Sequence, residues 1–193
     1  LVNKIHLRWI NKFDEVFIFD DPKHKGAGQL SDAGQINLPK TYLGQVSALQ
    51  ICPENPEIDV LIMLSGIEAQ RQRLECFFTG VGWPEDKRQV LVRGSLYKPA
   101  SQIEASHLEI VDFASPEALS SLISKSSAVV LRSGYSSLMD LDDFQGKKLL
   151  IPTPGQGEQE YLAKYKSETE AQTKSYKEED LQGVDWLKFL YQE

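Results

Sequence analysis

Cysteine is almost missing from this chain: Cys52 and Cys76 are the only 2 in 193 residues. That is too few for a disulfide framework, and the two lack the paired spacing of a metal site. Both read as inert thiols, and a reducing, cytoplasmic setting is the default for such a chain. Histidine is scarce as well. His6, His24 and His107 have no partner spacing that suggests a triad or a metal site, and read as structural or exposed. No apolar run approaches the ~18 residues needed to span a bilayer, and no charged-then-apolar signal segment opens the chain. Basic residues are in the minority, 21 Lys and Arg against 28 Asp and Glu, for a net charge of -7. That balance argues against a general nucleic-acid binder, which needs a basic face against phosphate, but it leaves room for a local anion site.

What is present is ordinary for a globular protein: 41% hydrophobic and 25% charged residues, enough for one sizeable core plus an appendage. The chain begins without a methionine, inside an amphipathic pattern with Leu1, Ile5, Trp9 and Phe13 on one side. We therefore expect it to be a piece of a longer protein. Glu15 to Asp20 reads as a strand, and Asp21 to Gln29, with Pro22, Gly26 and Gly28, as a loop. Cys52-Pro53-Glu54-Asn55-Pro56 is rich in breakers, and a domain boundary is placed near residue 45.

From there, strand and helix patterns alternate, which predicts an α/β domain with a Rossmann-like, doubly wound parallel sheet. The predicted strands are Ile58 to Leu64, Gln89 to Arg93, His107 to Val111, Ala128 to Leu131 and Lys148 to Ile151. The predicted helices are Glu68 to Thr79, one opened by the N-cap sequence Ser115-Pro116-Glu117, Glu158 to Lys166, and a closing one with Val184, Leu187, Phe189 and Leu190. The polar stretch Ser167 to Lys177 has room for a short edge strand.

Two consecutive units carry the functional signal. Ala128 to Leu131 runs into Arg132-Ser133-Gly134-Tyr135-Ser136-Ser137 and then Asp140; Lys148 to Ile151 runs into Pro152-Thr153-Pro154-Gly155-Gln156-Gly157-Glu158-Gln159. Each is a strand, a turn of small residues and a helix start, which sets exposed N–H groups at the carboxyl edge of a parallel sheet, where phosphate binds. Ser133, Gly134, Ser136 and Ser137 can cradle a diphosphate, or can simply start a helix. Asp140 can accept both hydroxyls of a ribose, or be a solvated helix carboxylate. Arg93 and Arg132 end strands on the same edge and could neutralise phosphate, or, for Arg132, pair with a nearby acid.

Arg-Ser-Gly-x-x-Ser-x-x-Asp, then a strand, then Ile-Pro-x-Pro-x-x-x-Glu-Gln-x-x-x-Ala resembles the C-terminal, donor-binding domain of GT-B glycosyltransferases, in the group containing the lipid II-forming N-acetylglucosaminyltransferase. The likeness covers roughly residues 44 to 193. It implies that residues 1–44 are the tail of an N-terminal, acceptor-binding domain with the interdomain linker, and that residues 45–193 bind a nucleotide sugar. By the same resemblance, Glu158 and Gln159 reach the donor sugar, and Phe113 and Ala114 lie where the family's backbone recognises uracil. Ser65 and Gly66 occupy the family's first glycine-rich loop, where one glycine remains here. The family usually has Glu in place of Asp140.

The implied function is an inverting, metal-independent transfer of a hexosaminyl group from a UDP-sugar such as UDP-N-acetylglucosamine. The acceptor, a sugar or a lipid-linked sugar, would be held by the N-terminal domain; a lipid-linked one would bring the complete protein to a membrane surface. The catalytic base belongs to that domain, so this chain alone should bind donor without turning it over. UDP-sugar is the substrate and no cofactor is expected. Two alternatives stay open: a donor-binding subunit that works with a separate acceptor subunit, and half of a UDP-sugar 2-epimerase-like protein.

Overall fold

A computed structural model describes residues 2–23, 25–95, 107–182 and 186–191. Leu1, His24 and Val184, assigned above from sequence, lie outside the described residues. The first part of the chain is helix α1 (Val2–Ile10) and two short strands, β1 (Val16–Ile18) and β2 (Lys40–Tyr42), paired in parallel. β2 was not anticipated. The apolar side chains of Ile5, Trp9 and Phe13 are exposed, as are Phe17 and Phe19.

The loop after β1 is organised by one carboxylate. Asp20 is buried and accepts from the backbone N–H groups of Gly26 at 2.8 Å and Ala27 at 2.9 Å, and from Ser31 Oγ at 2.6 Å. Burial disfavours its ionised form, but the hydrogen bonds from Ser31, Gly26, Ala27 and Asp21 outweigh that and hold its pKa below the ordinary 3.8.

The remainder alternates strand and helix: β3 (Ile58–Met63), α2 (Glu68–Thr79), β4 (Gln89–Val92), β5 (Glu109–Val111), α3 (Pro116–Ser124), β6 (Ser126–Leu131), α4 (Tyr135–Asp140), β7 (Lys147–Leu150), α5 (Gly157–Thr169), β8 (Thr173–Ser175) and α6 (Trp186–Tyr191). The six strands from β3 to β8 form one wholly parallel sheet in the order β5-β4-β3-β6-β7-β8. This is a Rossmann-like, doubly wound α/β fold, as the alternation predicted.

Both faces of the sheet are covered, which explains why its central strands β3 and β6 carry consecutive apolar residues and not alternating ones. In β6, Ala128 and Val130 join Leu74 and Phe78 of α2 and Trp186 and Leu190 of α6. Val129 and Leu131 join Ile123 of α3, Leu138 of α4 and Leu162 of α5 on the opposite face. Ser115 caps α3 by accepting from Ala118 N, with Pro116 at the first helical position, as read from the sequence. α5 runs three residues beyond its predicted end at Lys166. There Glu170 bridges Lys166 at 2.7 Å and Lys148 of β7 at 2.9 Å.

The loop that follows β1 is tied to α4 and α5 at three points. Tyr135 donates its hydroxyl to Phe19 O, Gln29 N donates to Tyr161 Oη at 2.8 Å, and Lys166 Nζ donates to Lys25 O at 3.3 Å. The segment that follows is pinned across α3 and α4: Gln45 Nε2 donates to Asp142 at 2.8 Å, Ser47 Oγ to Asp140, and Cys52 N to Ser124 Oγ at 3.1 Å.

Candidate functional site

Strand order reverses between β3 and β6: from β3 the chain steps outward through β4 and β5, then crosses back to β6 on the other side. Connections leave these two strands in opposite directions, which opens a crevice at their carboxyl ends. A cleft of about 200 Å³ occupies this position. Its floor is apolar, with Met63, Leu64, Val92 and Leu131 from the strand ends and Leu119 and Ile123 from α3. Its polar groups come from Ser65 after β3, and from Ser137 and Asp140 on α4, while Phe113 and Ala114 stand after β5. Five of the residues singled out from sequence, Ser65, Phe113, Ala114, Ser137 and Asp140, thus meet in one cleft although they come from three separate segments of the chain.

Close approach of backbone shapes this cleft. Gly94, at φ +64°, also lines it, and a Cβ there would sit 2.7 Å from Leu64 O. Only glycine permits both the dihedral and the contact.

The turn between β6 and α4 has an unusual division of labour. Ser133 is fully buried, and its hydroxyl turns away from the helix to donate to Gln159 O at 2.8 Å. Among the described residues no side chain caps α4, whose N-cap is Gly134. Its first-turn N–H groups therefore stay available to an acceptor, while Ser136 is exposed beside them. α3, at the same edge, is capped by its own serine. Asp140 is half-buried and takes the Ser47 hydroxyl on Oδ1.

Gln159 lies next to this turn, since a Cβ on Gly134 would be 4.0 Å from its Nε2. Its amide is spent within its own loop: Oε1 accepts from Thr153 N at 2.9 Å and Nε2 donates to Gln156 Oε1 at 2.7 Å. Glu158 is exposed and faces a different cavity of about 390 Å³, with Phe17, Phe19, Ser31 and Tyr135. Burial, together with the charges of Asp20, Asp142 and Asp21, pushes the Tyr135 phenol up to about 12.

Neither arginine at the edge is a free phosphate ligand. Arg93 is buried; its Nε donates to Glu75 at 2.8 Å and its Nη1 to Asp112 at 2.6 Å. Arg132 is buried too, paired with Glu178 and donating to the carbonyls of Ile151 and Pro152 at 3.2 and 3.1 Å. Their positive charge is compensated inside the protein. Gly66, at φ +96°, sits in the exposed loop after β3 and does not line the cleft.

Sequence reasoning missed Ser47 and Gly94. Ser47 sits in a segment without periodicity, and its partner is 93 residues away. Gly94 lies two residues beyond the end of β4, and an isolated glycine beside a strand signals close backbone approach. No group of three or more His, Cys, Asp or Glu that could hold a metal occurs among the described residues. No protein-family model matches this chain, and no curated protein sequence matches it significantly.

Proposed function

We propose that this chain is the donor-binding part of a glycosyltransferase and that its cleft at the strand-order reversal takes the nucleoside of a UDP-sugar. One observation carries the reading: the loops after β3 and β5 and helix α4 each contribute to a single cleft the residues that the sequence had marked for nucleotide contact, at the edge where doubly wound sheets hold nucleotides. At about 200 Å³ the cleft is smaller than the roughly 300–1,000 Å³ of complete ligand pockets. It suits a nucleoside, with diphosphate and sugar extending out over the β6–α4 turn.

In this reading uracil lies against Phe113 and Ala114, and the ribose hydroxyls reach Asp140. The uncapped N–H groups at the start of α4 and the hydroxyls of Ser136 and Ser137 receive the diphosphate. As the glycosidic bond breaks, negative charge builds on that diphosphate, and donors already aimed at it lower the barrier without reorganisation. Ser133 and Gln159 act from behind, by fixing the turn. The acceptor sugar or lipid-linked sugar, and the base that deprotonates it, come from an N-terminal acceptor domain, so donor binding without turnover is the behaviour of this chain alone. A cytoplasmic setting suits a nucleotide-sugar substrate.

Calorimetric titration with UDP tests this. Saturable binding up to millimolar ligand is expected, and Asp140→Asn should weaken it. A charge-assisted hydrogen bond contributes roughly 1.5–3 kcal/mol; because Ser47 already occupies Oδ1, the lower figure applies, about a tenfold loss. No binding by the parent chain, or equal affinity in the variant with binding elsewhere, would reject the assignment.

A further inference from the structure

A third cavity opens over the carboxyl ends of β7 and β8, away from the strand-order reversal, and is far larger than the donor cleft, at about 830 against 200 Å³. None of the residues assigned to the donor lines it. Its volume falls in the roughly 300–1,000 Å³ range of small-molecule sites.

Three features define what would fit. Pro152, Pro154 and Tyr176 give it ring and CH surface. Glu178 is a fixed carboxylate: buried Arg132 holds one oxygen and Arg73 Nη2 approaches the other at 3.2 Å. The hydroxyls of Ser175 and Tyr176, both half-buried, and the carboxylate of Asp180 line the cavity with no hydrogen-bond or ion-pair partner among the described residues. These groups are unspent on the fold, unlike the side chains of Ser133, Gln159 and Arg93.

Charge narrows the ligand class. The lining carries Arg73, Lys164 and Lys177 against Glu160, Glu178, Glu179 and Asp180. An anion such as phosphate would meet four carboxylates and three cations, and no metal-holding group occurs among the described residues. A neutral polyol satisfies both signs, since each hydroxyl can donate to a carboxylate and accept from an ammonium or a serine. Its CH faces lie on the tyrosine and proline rings.

We infer that this cavity is a saccharide site, separate from the nucleotide cleft and of disaccharide size. The inference stands on the cavity alone and does not require that the nucleotide assignment be right.

The test is an NMR titration of the chain with millimolar N,N′-diacetylchitobiose and, in parallel, maltose, read on backbone amides. At least one should shift the amides of Ser175 to Asp180 and of Lys164. Tyr176→Phe and Asp180→Asn should each weaken binding about three- to tenfold, the loss expected for one hydrogen bond, and leave UDP affinity unchanged. The inference is overturned if neither sugar binds, if the shifts fall elsewhere, if UDP competes, or if both variants bind like the parent. Saccharide binding here with no UDP binding would reject the nucleotide assignment alone; UDP binding without saccharide would reject this one alone.

Discussion

Replacing Gln159 by alanine probes how the β6–α4 turn is held. The side chain makes two hydrogen bonds within its loop, to Thr153 N at 2.9 Å and Gln156 Oε1 at 2.7 Å. Each has a net worth of about 0.5–1.5 kcal/mol, and Thr153, whose N–H loses its acceptor, is buried. A loss of about 1–2 kcal/mol in local stability follows. The loop also supplies the carbonyl of Gln159 that receives the Ser133 hydroxyl at 2.8 Å, so loosening it loosens the turn under the diphosphate. UDP and UDP-N-acetylglucosamine share that diphosphate, and Gln159→Ala should therefore weaken both by the same factor, about three- to tenfold. Calorimetric titrations of the two ligands, with a thermal melt of the free variant, measure this directly. If only the UDP-sugar affinity falls, the amide reads the sugar in the complex and the bracing argument is wrong.

Glu170 should make the fold acid-sensitive. Burial favours its neutral form, but hydrogen bonds and charge from Lys166 and Lys148 prevail and bring its pKa from 4.5 to about 2. A depressed folded value means the stabilisation is complete above about pH 4.5 and is lost as pH falls through about 2; after allowance for partial exposure it amounts to about 2 kcal/mol. Urea unfolding of the parent should show that loss between about pH 5 and pH 2, and Glu170→Gln should flatten it; an unchanged slope would disprove the assignment. Gly94→Ala puts a Cβ 2.7 Å from Leu64 O at φ +64°, so it should destabilise by about 1–3 kcal/mol and weaken UDP binding, and a variant with the parent's melting temperature would refute the close approach. Glu75→Ala leaves Arg93 buried with one partner, Asp112, and should cost about 3 kcal/mol in denaturant titration, whereas a loss under about 1 kcal/mol would mean that the pair behaves like a surface one.

The sheet was legible because burial on both faces writes itself as stretches of consecutive apolar residues, Val60 to Leu64, Val90 to Val92, Ala128 to Leu131 and Leu149 to Ile151: β3, β4, β6 and β7 lie where Ile58 to Leu64, Gln89 to Arg93, Ala128 to Leu131 and Lys148 to Ile151 predicted them. α2 matched at both ends and α3 was announced by its cap. β2, by contrast, is three residues, Lys40 to Tyr42, whose extended form depends on pairing with β1 across a loop; no local pattern encodes it. The last turn of α5 is held by Glu170 and two lysines, and charge pairs leave no hydrophobic period to read. The same limit applies at the site. The strand–turn–helix pattern pointed to Ser137 and Asp140, and the family resemblance to Ser65, Phe113 and Ala114; all five line the cleft. Neither could see that Arg93 is consumed by Glu75 and Asp112, or that Glu158 looks into another cavity. Those outcomes depend on side chains brought together from distant segments.

The most direct measurement is a crystal structure of this chain grown with UDP. Uracil density is expected against Phe113 and Ala114, ribose at Asp140 with the Ser47 contact shared or displaced, and phosphates over Gly134 to Ser137. UDP bound instead over β7 and β8, or an empty cleft at saturating ligand, would contradict the assignment.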